Sequence, residues 1–223
     1  TIDISEPGAY SQTNTASGHV RAVRRASAAD FDSEEQTLSA ELLAPNFALL
    51  AAAGISSGLP VMLGGGTYSL REEIKLDRNA SLTIRGPGKI VGDCHTLFKA
   101  TGNRAVLDVA NVELVHVASQ LRQERRELGG AVFVLGKAQA KLENCTINSQ
   151  QGFGLWMVQR AGVSVDKCRF VSCGRSAVVI FGHSKLKMVD TNITSSGMHG
   201  ICARGESQVQ VVSSSIHDSY TRG

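Results

Sequence analysis

Residues 130–152, 153–175, 176–198 and 199–221 read GAVFVLGKAQAKLENCTINSQQG, FGLWMVQRAGVSVDKCRFVSCGR, SAVVIFGHSKLKMVDTNITSSGM and HGICARGESQVQVVSSSIHDSYT, and the four lines align at a period of 23 residues. Leu142, Val165, Met188 and Val211 fall in one column; Ile147, Phe170, Ile193 and Ile216 in a second; Val132, Leu155, Val178 and Ile201 in a third. A fourth column, Cys145, Cys168, Thr191 and Ser214, is uniformly small. Apolar residues recurring in the same slots at one short period mark a solenoid, in which each unit buries its apolar side chains against the next. Each unit holds two short runs rich in β-branched residues, such as 163–165 and 177–180, separated by Gly, Ser, Asn and Lys. Such runs are too short for a pair of helices and fit strands joined by turns. The fold class is therefore all-β, a solenoid of 23-residue coils.

Upstream, 118–129 breaks the period with an insertion of about ten residues carrying Arg122, Glu124, Arg125, Arg126 and Glu127, read as a loop or short helix projecting from the scaffold. Before it the text is again strand-like: Leu59-Pro-Val-Met-Leu63, Gly64-Gly-Gly-Thr-Tyr68, Ile74-Lys-Leu76, Ser81-Leu-Thr-Ile84 and Gly86-Pro-Gly88. This order, with the later units and their Gly154-Leu155 and Gly200-Ile201 steps, resembles the right-handed parallel β-helix proteins of the pectin-lyase-like superfamily. The resemblance covers about residues 40–223 and implies a right-handed parallel β-helix. It says little about function, because that superfamily spans lyases, hydrolases, epimerases, phage tailspikes and non-enzymatic modules.

Residues 37–58 carry Leu38, Leu42, Leu43, Phe47, Leu49 and Leu50 at roughly helical spacing, with Ser39 as an N-cap and Gly54 as a stop. Pro45 calls for two short pieces or a helix starting near it. An open solenoid end exposes its core, so this segment is expected to be a short N-terminal helical cap. Residues 1–36, poor in large apolar side chains, are expected to be a flexible tail. Within them Arg24-Arg25-Ala26-Ser27 matches a basophilic kinase pattern, with Ser27 as the candidate phosphate acceptor. The solenoid is assigned to 59–223. It stops part-way through a coil at Thr221-Arg-Gly223, an ending that reads as truncation.

The 42% hydrophobic content and 23 glycines suit a turn-rich β protein, and the net charge of +3 gives no electrostatic case for nucleic acid. No apolar run reaches the length of a membrane span. There are five cysteines. Cys145 and Cys168, about 4.8 Å apart on adjacent coils, are read as a reduced core ladder, which slightly favours an intracellular setting without fixing the compartment. Asn144 and Asn192 open glycosylation sequons and are read more simply as turn residues.

One face carries the functional reading. Alternate strand residues point to opposite faces. If Val132, Leu155, Val178 and Ile201, with Val134, Met157, Ile180 and Ala203, point inward, the residues between them point out. These are Phe133, Trp156, Val179 and Cys202, with Leu135, Val158, Phe181 and Arg204 beside them. A strand apolar on both sides is normally covered on both sides. Three coverings fit: this chain's own N-terminal segment or insertion, a protein partner or second copy, or a carbohydrate stacked on Trp156 and Phe133. Phe133, Leu135, Trp156, Val158, Val179, Phe181 and Arg204 are the candidate protein-binding residues, with Trp156 as the expected hot spot. A polar column, Lys137, Arg160, His183 and Glu206, lies beyond them.

Enzymatic chemistry is less well supported. Glycoside hydrolysis needs two carboxylates at a set separation, and no Asp-Asp pair occurs. The motifs of the superfamily's polygalacturonases, lyases and epimerases are not met; the nearest pieces are Asp190-Thr-Asn192 and His199-Gly200, and the last proline is Pro87. Glu143 and Asp166 stack at the period, as a surface pair relaxed by Lys141 and Lys167. No catalytic residue, metal or cofactor is assigned. The leading function is a non-catalytic recognition or scaffold module binding protein, or a structural subunit of a larger assembly. The alternative is a carbohydrate-active enzyme or carbohydrate-binding module.

Overall fold

The structure is a computed structural model that describes residues 2–3, 9–13, 20–24, 45–117 and 129–219. The chain divides into two units, 1–41 and 42–223. In the first, where the sequence suggests a flexible tail, strands Ile2–Asp3, Ala9–Thr13 and Val20–Arg24 pair antiparallel in that order. Ser27 and residues 37–44 lie outside the described residues.

The second unit is a right-handed parallel β-solenoid of about six turns. Three ladders of parallel strands run along it. One stacks Ile74–Asp77, Thr96–Thr101, the start of Gly130–Glu143, Phe153–Gln159, Val178–Ile180 and Ile201–Ala203. The second joins Ser81, Val106, Gln139, Gly162, Lys185 and Gln208 and the residues after each. The third joins Thr67–Leu70 to Lys89, Glu113, Thr146, Arg169, Asn192 and Ser215 and the residues that follow. The columns read from sequence are those of the ladders: Val132 pairs with Leu155, Leu155 with Val178, and Val178 with Ile201. Upstream, Phe98 pairs with Val132, 34 residues later. That coil is ten residues longer than the one before it and eleven longer than the one after, yet keeps the ladder intact; its residues 118–128 lie outside the described set.

A helix, α1 (Phe47–Ser57), precedes the first coil. Its N-cap is Asn46, whose side chain accepts from the Ala48 amide at 2.9 Å, satisfying one of the orphan N–H groups of the first turn. It ends at left-handed Gly58, not at Gly54. Gly54 lies inside the helix because a Cβ there would stand 2.6 Å from Val61 Cγ2; its bare backbone lets helix and strand touch. Phe47 reaches the core and meets Tyr68 and Phe98 edge-on at 6.4 and 6.0 Å.

Corners between the second and third ladders repeat one device. Asn111, Asn144, Lys167, Asp190 and Ser213 all adopt left-handed φ between 47° and 59°, a conformation that Asn and Asp tolerate best. Asn144 is thus a turn residue, whereas Asn192 opens a strand. The small column follows each corner and forms a hydrogen-bonded stack. The Cys145 amide donates to Cys168 Sγ at 3.4 Å, the Cys168 amide to Thr191 Oγ1 at 3.3 Å, and the Thr191 amide to Ser214 Oγ at 3.1 Å. Each receiving side chain donates in turn to the carbonyl two residues before it. All five cysteines are free, and the hydrogen bond with Cys145 together with burial pushes the Cys168 thiol up, so it stays protonated. Cys168→Ser retains both bonds and is expected to stay within about 1 kcal/mol of wild type, whereas Cys168→Val orphans the Cys145 amide at about 1–3 kcal/mol. Urea denaturation of the two variants checks this difference.

Candidate docking surface

The first ladder sets the geometry of the outer strip. Val132, Leu155, Val178, Val134, Met157 and Ile180 are buried inside, so in register Lys75, Lys99, Phe133, Trp156, Val179 and Cys202 form the outer column. Parallel register brings Phe133 beside Trp156, edge-on with ring centroids 4.8 Å apart. Phe153 joins them, 5.1 Å from Trp156. It is a residue the sequence reading missed. Phe153 opens its strand just before Gly154; a Cβ on Gly154 would point inward at Phe170, while the Phe153 ring, 7% exposed, packs against Trp156. Strict alternation does not anticipate two successive inward positions, Gly154 and Leu155.

Of the seven candidates, Phe133, Leu135, Trp156, Val158 and Phe181 are half-buried and Arg204 is exposed. Val179 is 4% exposed, between Trp156 and Cys202, and offers little surface. The indole Nε1 of Trp156 is shielded from solvent and has no hydrogen-bond acceptor among the described residues. Tryptophan N–H groups usually find a partner when buried.

Cations edge the aromatic cluster. Lys99 Nζ stands 5.8 Å from the Phe133 centroid and Arg175 Cζ 5.6 Å from that of Phe153, both within cation–π reach. Lys99 was hidden from a 23-residue alignment because its pairing with Phe133 spans the long coil. At the other end of the strands Lys137, Arg160 and His183 are exposed, and His183 Nδ1 lies 3.2 Å from Glu206. Asn103, Gly136, Lys137, Gln159, Arg160, Gly182 and His183 line a shallow groove there of about 410 Å³.

The other candidates are accounted for by local pairing. Glu143 and Asp166 do stack in register; Lys141 binds Glu143 at 2.6 Å and holds its carboxyl below the usual range. No group of three or more His, Cys, Asp or Glu among the described residues could hold a metal ion, and no helix among them is long and apolar enough to cross a membrane. Arg122, Glu124, Arg125, Arg126 and Glu127 lie outside the described residues.

Compared with known proteins, residues 107–223 match the family model described as right handed beta helix region. No curated protein and no solved structure matches the chain.

Proposed function

We propose that this chain, which belongs to the right-handed beta helix family, is a non-catalytic recognition module that docks a protein partner on the outer strip of its first ladder. The observation that carries the reading is the half-buried pair of rings, Phe133 and Trp156, on the outer side of a ladder whose inner side already fills the core, with the buried Phe153 ring packed against Trp156. Solvated strand faces are ordinarily polar, and apolar ones mark contact surfaces. Aromatic anchors rimmed by charge are the usual anatomy of a binding hot spot. Two cations, Lys99 and Arg175, stand 5.8 and 5.6 Å from the Phe133 and Phe153 rings, whereas glycoside hydrolysis runs on paired carboxylates; this weighs toward docking over carbohydrate cleavage.

Size-exclusion chromatography with light scattering on wild type and Trp156→Glu tests the reading. The expected result is a wild type that elutes with a bound protein partner, and a Trp156→Glu chain that is monomeric, folded and at least tenfold weaker in binding, or about 1.4 kcal/mol. A monomeric wild type paired with a Trp156→Glu chain that unfolds would mean the strip is part of this chain's own packing, and the proposal fails.

A further inference from the structure

The chemistry of the rim identifies the class of partner. Cations frame the strip on four sides. Lys99 lies up the axis and Arg175 beside the leading ends of the strands. Lys137 and Arg160 follow one another at the coil interval beyond the trailing ends, with His183 next in that column, and Arg204 lies at the downstream end. Carboxylates near them are few and engaged: Glu73 lies 3.8 Å from Lys75 and 3.9 Å from Lys99, and Glu206 faces His183. Lys137, Arg160 and Arg204 have no ion-pair partner among the described residues. Like charges stacked one coil apart repel, and an anionic neighbour relieves that repulsion.

The backbone at this edge shapes the groove. Gly102, Gly136, Gln159, Gly182 and Gly205 stack as a column of left-handed residues, with φ from 72° to 86°. Gln159, at φ 72°, is the only non-glycine among them. The column is a turn repeated coil by coil, like the corners at Asn111, Asn144, Lys167, Asp190 and Ser213. Gln159 lines the groove together with Asn103, Lys137, Arg160 and His183, placing two amides among three basic groups.

Resting on the docking reading above, we infer that the partner presents an acidic protein segment, with apolar side chains seated on Phe133, Trp156 and Phe181 and flanking carboxylates entering the groove at Lys137, Gln159 and Arg160. A second copy docked face to face would bring the same cationic rim to the interface, and like charges across an interface suppress association.

Trp156 is the only tryptophan, so its emission reports occupancy of the strip. The probes are an acetylated octapeptide of alternating Glu and Leu and its Lys–Leu counterpart, titrated into the full chain and into Lys137→Glu/Arg160→Glu. Both substituted residues are exposed, and circular dichroism confirms that the variant folds. The Glu–Leu peptide is expected to shift the emission saturably, weaken with added salt, and bind the charge-reversed variant roughly tenfold less tightly. Equal shifts with both peptides, unaltered in the variant, overturn the acidic-segment inference and leave the docking reading standing. If neither peptide shifts the emission while light scattering still shows a Trp156-dependent complex, the inference again fails alone. If no such complex forms either, both fail.

Discussion

Phe170→Ala is expected to lower the unfolding free energy by roughly 3–5 kcal/mol, the range for truncating a fully buried phenylalanine. Phe170 is 0% exposed and pairs with Ile147 on the coil before and Ile193 on the coil after. Its ring packs directly on the Gly154 backbone: a Cβ added there would come within 2.7 Å of Phe170 Cδ1 and of the Ala177 carbonyl oxygen. The small residue therefore cannot grow into the space the ring vacates, and the cavity persists. Each coil of a solenoid contacts only its neighbours, so the loss falls on two interfaces and is not spread through a globular core. Urea unfolding followed by Trp156 emission and far-ultraviolet circular dichroism should show an earlier midpoint, with Phe170→Leu losing much less. A loss below about 0.5 kcal/mol, the size of an ordinary surface change, would refute this packing account.

The second large effect is a dependence of stability on pH centred on His116. This histidine is 0% exposed. The Cys94 carbonyl, 2.8 Å from Nε2, can only accept, so Nε2 carries the proton; Nδ1 then accepts from the Ser149 hydroxyl at 2.8 Å. Burial lowers the His116 pKa from its ordinary 6.5, opposed by hydrogen bonds to the 94–95 backbone and by Asp93, and reinforced by His95. The folded chain thus holds the ring neutral while the unfolded chain binds a proton near 6.5. Stability from the neutral ring is fully present above that value and is lost as pH falls below it toward the lowered folded pKa. The urea midpoint should fall between about pH 7 and about pH 5, and the part of that fall absent from His116→Phe belongs to this residue. His116→Phe also orphans the Ser149 hydroxyl and the Cys94 carbonyl, at about 1–3 kcal/mol each. If wild type and variant share one pH profile, the ring is not the group that titrates.

The architecture was legible because it is written in a repeat. Once Val132, Leu155, Val178 and Ile201 align, register, strand and turn follow, and the length of the insertion follows from where the period breaks. The outer strip was legible for the same reason, since Phe133 and Trp156 share a column. What escaped the reading depended on departures from the repeat. Phe153 packs against Trp156 because Gly154 and Leu155 both face the core, which suspends alternation, and Lys99 joins the strip only across the 34-residue coil. The pairing of His116 with Ser149 arises across the same coil, from adjacent third-ladder positions. Helix α1 ends at Gly58, with Gly54 inside it, because Gly54 serves helix–strand contact and not termination. The residues that depend on the period are easy to find, and those that depend on two coils of unequal length are not.

The hydrogen bonds of all three ladders lie along the solenoid axis, coil to coil. A load applied end to end is therefore carried in series, each interface bearing the whole force, as links of a chain do and the strands of a rope do not. The weakest link yields first and sets the strength of the whole, whatever the others could bear. Slack is released in unequal steps: most coils release 23 residues, but opening the one between Phe98 and Val132 releases 34.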